Sequence, residues 1–67
     1  MKYYNIELTR ERAECLQWYL LDNDYKHEIS AAAYGMYHFE ILLTPDQAAE
    51  VDNWIKTTLY ADAIRIA

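Results

Sequence analysis

The chain has 67 residues, of which 54% are hydrophobic, and it contains one glycine and one proline. These proportions exclude a disordered or low-complexity chain, and the length allows one domain, close to the lower size limit for a core without cross-links. Eleven acidic residues against six basic ones give a net charge of -5, which disfavours binding to phosphate backbones or anionic lipid and favours a basic partner.

Cysteine content and hydrophobic run length indicate a cellular location. Cys15 is the only cysteine, so no intrachain disulfide can form and a reducing compartment is expected, with Cys15 packed as a small hydrophobic residue. No apolar segment follows Lys2 as in a signal peptide, and no run approaches the roughly 18 apolar residues of a membrane span. The sequence therefore predicts a cytoplasmic protein that does not bind membranes.

A strand followed by a helix is predicted at the start of the chain. Residues alternate from Lys2 to Leu8, as in a strand with one buried face. Thr9 is a suitable N-cap for a helix that continues to about Asp22. Trp18 projects from the side of this helix opposite its core stripe, so it covers a loop or stands exposed at an interface. The core stripe consists of Ala13, Leu16, Tyr19 and Leu20.

A hairpin is predicted next. Asn23 follows the first helix and is expected to adopt the left-handed conformation of a C-terminal cap. Alternation resumes from Tyr25 to about Ala33 and again from Tyr37 to Leu43, which predicts two strands. Gly35, the only glycine, lies between them and marks the reversal of the chain.

The second helix has the clearest local signal. Thr44, Pro45 and Gln47 form a capping box with proline at the first helical position, so a helix begins here and continues to about Tyr60. The segment Ala63 to Ala67 alternates again and predicts a short last strand. The predicted buried stripe of the helix consists of Ala48, Val51, Ile55, Thr58 and Leu59, with Trp54 at its flank.

The predicted order of elements is βαββαβ, and the chain repeats itself. The strand-Thr-helix unit that begins at Ile6 returns thirty-five positions later at Ile41. Two βαβ units joined by a hairpin indicate the ferredoxin-like α+β fold, with two helices on one face of a four-stranded antiparallel sheet. The whole chain, 1–67, is expected to form this one domain.

The first and third strands lie at the centre of such a sheet, so their outward residues form an uncovered face. RNA-recognition domains of this fold stack bases on aromatic residues of that face. This chain offers Tyr3 there but adds Glu7 and Glu40 and lacks the basic-Gly-aromatic pattern, which disfavours direct nucleic-acid binding. The outward residues are Tyr3, Asn5, Glu7, His38, Glu40 and Leu42.

An enzyme site could be formed by His38 with Glu7 and Glu40. Their side chains would serve as metal ligands or as a general acid–base pair. The spacing matches no known signature, and it is equally typical of a solvated sheet surface. We therefore predict no enzyme activity, no metal and no cofactor. His27 lies on the inward side of an edge strand, where a hydrogen-bonded structural histidine is expected.

A protein-binding role is the favoured interpretation. Exposed aromatic residues are common anchors of protein interfaces, and the acidic balance fits a basic partner. We expect a small interaction module, comparable in size and charge to phage-encoded inhibitors that cover a basic nucleic-acid-binding surface of a host or defence protein. The module is also expected to form a homodimer, most simply through the sheet. The alternatives are a homodimeric structural domain and a small-ligand-binding regulatory domain. The candidate binding residues are Tyr3, Glu7, Trp18, Tyr34, His38, Glu40 and Leu42.

Overall fold

A computed structural model describes residues 1–60 and the backbone of 65–66. It confirms the α+β class, with two helices and an antiparallel sheet. The elements follow the predicted order: β1 (Lys2–Leu8), α1 (Arg10–Asp22), β2 (His27–Ala31), β3 (Tyr37–Leu43) and α2 (Pro45–Trp54), with a π-helical turn at Ile55–Leu59.

The sheet is built around β3, which pairs in antiparallel fashion with β1 on one side and β2 on the other. In the β1–β3 register Tyr3 lies opposite Leu42 and Glu7 opposite His38. Of the predicted last strand, residues 63, 64 and 67 lie outside the described part of the chain. The backbone of Arg65–Ile66 pairs in antiparallel fashion with β1. The arrangement is compatible with the ferredoxin-like fold.

Both helices contribute to one hydrophobic core on a single face of the sheet. Alternate residues of β1 and β3 point into it, as the two-residue strand period requires. Among the residues described, no polar or charged side chain is buried. The core residues are Tyr4, Ile6, Leu8, Ala13, Leu16, Leu20, Phe39, Ile41, Leu43, Ala48, Val51, Ile55 and Leu59.

The two helices also meet through aromatic side chains. Tyr19 of α1 stacks on Trp54 of α2, with ring centroids 4.1 Å apart and ring planes 12° from parallel. Tyr25, in the turn before β2, lies 6.4 Å from Tyr19 between ring centroids. Burial, then the charges of Tyr25 and Glu50, raise the pKa of the Tyr19 hydroxyl above its usual value.

The two predicted N-caps differ in the structure. Thr44 accepts a hydrogen bond from the Gln47 amide at 3.2 Å, and the Gln47 side chain accepts one from the Thr44 amide at 3.0 Å, so the capping box is confirmed. Thr9 occupies the N-cap position of α1, but its side chain makes no capping hydrogen bond. The third residue of α1 is Arg12, which cannot accept from the Thr9 amide, so the reciprocal bond is impossible there.

The turn after α1 differs from the prediction by one residue. Asn23 has φ -96°, so the expected left-handed conformation at this position is wrong; Asp24, with φ 56°, adopts it instead. The side-chain amide of Asn23 donates to the carbonyl oxygen of Tyr19 at 2.8 Å. Asn23 therefore satisfies a C-terminal carbonyl with its side chain, and the chain reverses one residue later.

The hairpin between β2 and β3 turns at Gly35 as predicted. Tyr34 and Gly35 have φ of 59° and 72°, and two successive positive φ values are typical of the turns that match the strand twist of a hairpin. The short helical turn Ala33–Gly35 occupies the end of the predicted second strand, so β2 stops at Ala31 instead of Ala33.

The second helix changes geometry before its predicted end. The α-helix ends at Trp54 and the following turn to Leu59 is π-helical. Thr58 was expected in the buried stripe, but it is exposed. A π turn holds more residues than an α turn, so Thr58 rotates out of the stripe while Ile55 and Leu59 stay buried.

Candidate functional site

The face of the sheet opposite the core, which we call the open face, brings together five of the seven candidate binding residues. Strand parity places Tyr3 and Glu7 of β1 there, together with His38, Glu40 and Leu42 of β3. Sequence reasoning missed the contribution of β2, whose Glu28 lies opposite Glu40 and whose Ser30 lies opposite His38. The alternation of β2 contained that signal, but the register was needed to use it.

Two glutamates face each other across neighbouring strands of the open face. Glu28 and Glu40 are direct partners in the β2–β3 register, and both are exposed. Like charges in directly opposed positions destabilise a sheet, by an amount on the order of 0.2–1 kcal/mol for such a pair. A cationic group placed between the two carboxylates would remove this repulsion.

A histidine network occupies the next row of the open face. Nε2 of His38 lies 3.0 Å from Oδ1 of Asn5, and its Nδ1 lies 3.4 Å from Oε2 of Glu7. Both oxygens accept hydrogen bonds, so a neutral ring donates to one of them and a protonated ring to both. The contact orients Glu7. Among the described residues, His38 makes no hydrogen bond or ion pair with Glu40, the third member of the candidate catalytic group.

The other end of the open face is apolar. Tyr3, with 52% of its surface exposed, is the cross-strand neighbour of the half-buried Leu42. The two line a pocket of about 330 Å³ together with charged residues of β2 and β3. An apolar anchor thus lies beside the carboxylates, and the remaining residues around the pocket are Lys26, His27, Glu28 and Glu40.

The structural role predicted for His27 is supported by its contact. Its Nδ1 lies 2.8 Å from the carbonyl oxygen of Tyr25 and the side chain is half-buried. A carbonyl oxygen only accepts, so Nδ1 carries the proton and the ring holds the start of β2 against the preceding turn.

Two of the candidate binding residues, Trp18 and Tyr34, lie away from the open face. Trp18 is 67% exposed on the outer side of α1, as its position on the helix predicted. Cys15 lies on the same side and is exposed, so the expectation that it packs in the core is wrong. Cysteines are among the residues most often buried, but Cys15 lies on the outer side of α1 and is therefore exposed. Tyr34 is fully exposed at the tip of the β2–β3 hairpin.

Residues 1–60 and 65–66 contain no group of three or more His, Cys, Asp or Glu side chains arranged to hold a metal ion. No helix within these ranges is long and apolar enough to cross a membrane. Comparisons with models of protein families, with curated proteins and with solved structures find no significant match.

Proposed function

We propose that the chain is a ferredoxin-like, non-enzymatic interaction module whose open face binds a basic surface of another protein. The antiparallel pairing of β1, β2 and β3 and the pairing of the Arg65–Ile66 backbone with β1 support the complete βαββαβ topology. In that topology the helices cover one side of the sheet and leave the other available to a partner.

The observation that carries this proposal is the opposed pair Glu28 and Glu40. Such a pair costs stability in the free protein, and lysine or arginine side chains of a partner relieve that cost on binding. Glu7 adds a third carboxylate in the adjoining row. Against these three carboxylates stands Lys26, which lines the same pocket as Glu28 and Glu40, so the described part of the open face remains negative and favours a basic partner.

The apolar end of the open face completes the recognition surface. Tyr3 supplies a large, rigid ring with a polar hydroxyl, the kind of residue that often dominates binding energy at interfaces. A surface that combines Tyr3 and Leu42 with carboxylates resembles, in its charge, the phosphate backbone that a nucleic-acid-binding protein recognises. We propose that the partner is such a protein and that the module blocks its nucleic-acid site, as phage-type inhibitors do.

The test is affinity capture from the organism that encodes the chain, comparing the natural protein with the double variant Glu28→Gln/Glu40→Gln. We expect a basic protein to bind the natural chain, to be released by nucleic acid, and to be lost in the variant. Glu50→Gln, which removes an exposed charge from α2, is the matched control and should retain the partner.

Glu28→Gln alone should raise the free energy of unfolding by about 0.2–1 kcal/mol.

Two results would contradict the proposal. One is that every protein captured by the natural chain is also captured by the double variant at equal yield. The other is that the captured partner binds nucleic acid and the module at the same time, since the two would then occupy different surfaces.

Self-association through the open face is the second candidate function, favoured by the exposed Tyr3 beside Leu42. The effect of salt on affinity distinguishes self-association from binding to a basic partner. Bringing two copies together would place the apolar residues in contact but would also bring like carboxylates close, so added salt should strengthen a dimer. Binding to a basic partner should weaken as salt rises. Sedimentation at low and high salt, with Tyr3→Ala and Leu42→Ala as variants, measures the difference.

A further inference from the structure

The outer side of α1 presents an apolar ridge surrounded by carboxylates. At about 100° per residue, five side chains fall within about 60° of Trp18 on the helix surface. Trp18 and Leu21 are 67% and 54% exposed, and they lie one turn apart. We call this surface the Trp18 face; its other members are Glu11, Glu14, Cys15 and Asp22, all exposed.

The second helix provides an internal comparison. The repeat relates each residue of the Trp18 face to a residue thirty-five positions later, so Trp18 corresponds to Asn53 and Leu21 to Lys56. The corresponding residues of α2 and the turn after it are exposed, and none is a large hydrophobic residue. An outward helix surface in this fold therefore does not require an exposed tryptophan. The full corresponding set is Asp46, Ala49, Glu50, Asn53, Lys56 and Thr57.

We propose that the Trp18 face is a second binding surface, and that its occupant is a cationic amphipathic helix of another protein. Three carboxylates surround Trp18 and Leu21, and no lysine or arginine lies within the same sector of the helix. Arg10, about 80° away, pairs with Glu14 at 3.5 Å, but both side chains are largely exposed and such pairs are weak. The face therefore attracts positive charge.

The same charges argue against other occupants. A second copy of the chain would bring two sets of three carboxylates together, and nucleic acid or an anionic membrane would be repelled. A partner that carries lysine or arginine beside apolar residues satisfies both features of the face.

The shape of the surface favours a helical partner. Trp18 and Leu21 form a ridge of about one turn, which fits between the side-chain rows of a second helix. Glu11 and Asp22 lie about 16 Å apart along the axis at a rise of 1.5 Å per residue. A partner helix of three turns or more therefore reaches all three carboxylates with basic residues on either side of its apolar stripe.

The experiment uses two synthetic amphipathic peptides of about 18 residues, long enough to form a helix. One carries leucine with lysine, and the other carries leucine at the same positions with glutamate. Binding is measured by the fluorescence of Trp18 in a Trp54→Phe background, which keeps a ring against Tyr19, and by the alkylation rate of the exposed Cys15. Both probes lie on the proposed surface.

We expect the lysine peptide to shift Trp18 emission to shorter wavelength and to slow Cys15 alkylation. Trp18→Ala should weaken binding at least tenfold, as measured by Cys15 protection. Replacing Glu11 and Asp22 by Gln and Asn should weaken it and flatten its dependence on salt. Tyr60→Asn, which removes an exposed aromatic ring outside α1, should leave affinity unchanged. Glu28→Gln/Glu40→Gln should leave it unchanged as well, so this proposal and the proposed role of the open face can fail separately.

Four outcomes would overturn the proposal. The lysine peptide could leave Cys15 reactivity unaltered, or the glutamate peptide could protect Cys15 equally well. Protection could persist at full strength in Trp18→Ala. Finally, Cys15 could become protected in the protein alone as its concentration rises, which would identify the occupant as a second copy.

Discussion

Thr9 and Thr44 occupy equivalent positions in the two halves of the chain, but their side chains have different roles. Each occupies the N-cap position of a helix, and only Thr44 uses its side chain there. The difference arises three residues later, where Gln47 can accept a hydrogen bond and Arg12 cannot. Identical residues in repeated positions thus contribute unequally, because the cap depends on its partner.

The inequality gives a matched pair of substitutions. Thr44→Ala should lower the free energy of unfolding by about 1 kcal/mol, because it leaves an amide of the first turn of α2 unsatisfied. Thr9→Ala removes no side-chain cap and should cost less than half as much. Urea unfolding followed by circular dichroism measures both. Equal losses in the two variants would show that Thr9 does cap α1 in solution.

At the scale of elements, the contact between the helices depends on Tyr19. Its ring stacks on Trp54 and its hydroxyl is partly withdrawn from water, which raises the pKa of Tyr19 above its unfolded value of about 10. The folded state therefore holds this proton more tightly than the unfolded state. The resulting contribution to stability is fully present below pH 10 and is lost as the pH rises through the folded-state pKa.

Tyr19→Phe should therefore reduce the alkaline loss of stability. The natural protein should lose more free energy of unfolding between about pH 8 and pH 10.5 than the variant, which keeps the ring but has no ionisable hydroxyl. Chemical unfolding at the two pH values gives the comparison, and Tyr60→Phe, at an exposed position, is the control. If Tyr19→Phe and the natural protein lose stability in parallel, the hydroxyl does not titrate differently on folding.

The elements that the sequence predicts well are those with an unambiguous local pattern. The ranges of β1 and β3 follow from strict alternation, and the start of α2 follows from the capping box. The π-helical turn was not predictable, because Val51, Ile55 and Leu59 fit the buried stripe of a continuous α-helix as well. The prediction of a left-handed conformation at Asn23 failed for a different reason. Its side chain donates a hydrogen bond to a backbone carbonyl oxygen, which no local pattern specifies.

At the scale of the whole molecule, strand alternation and sheet topology determine which residues share a face. The part of the candidate site that depends only on these two features was predictable. The outward residues of β1 and β3 follow from alternation once the two strands are adjacent. Glu28 was missed as a site residue because its partner depends on the β2–β3 register, and a shift of one residue would move it to the other face. The position of Gly35 alone does not set that register.

The two proposed surfaces lie on different sides of the molecule. The open face is the side of the sheet that the helices leave uncovered, whereas the Trp18 face is on the side of α1 turned away from the core. The molecule measures 31 × 22 × 20 Å along its principal axes, so partners on the two surfaces need not collide. A module of this size could therefore join two basic proteins.

The absence of buried polar side chains among the described residues has a consequence for behaviour in acid. Acid unfolding is driven mainly by carboxylates that the native state holds ionised or by buried histidines that must charge, and this core contains neither. Between pH 7 and pH 5 the net negative charge falls, which reduces self-repulsion. We expect the Tm at pH 5 to stay within about 4 °C of its value at pH 7. A cooperative loss of circular dichroism above pH 5 would contradict this. The protein should thus keep its fold in mildly acidic conditions.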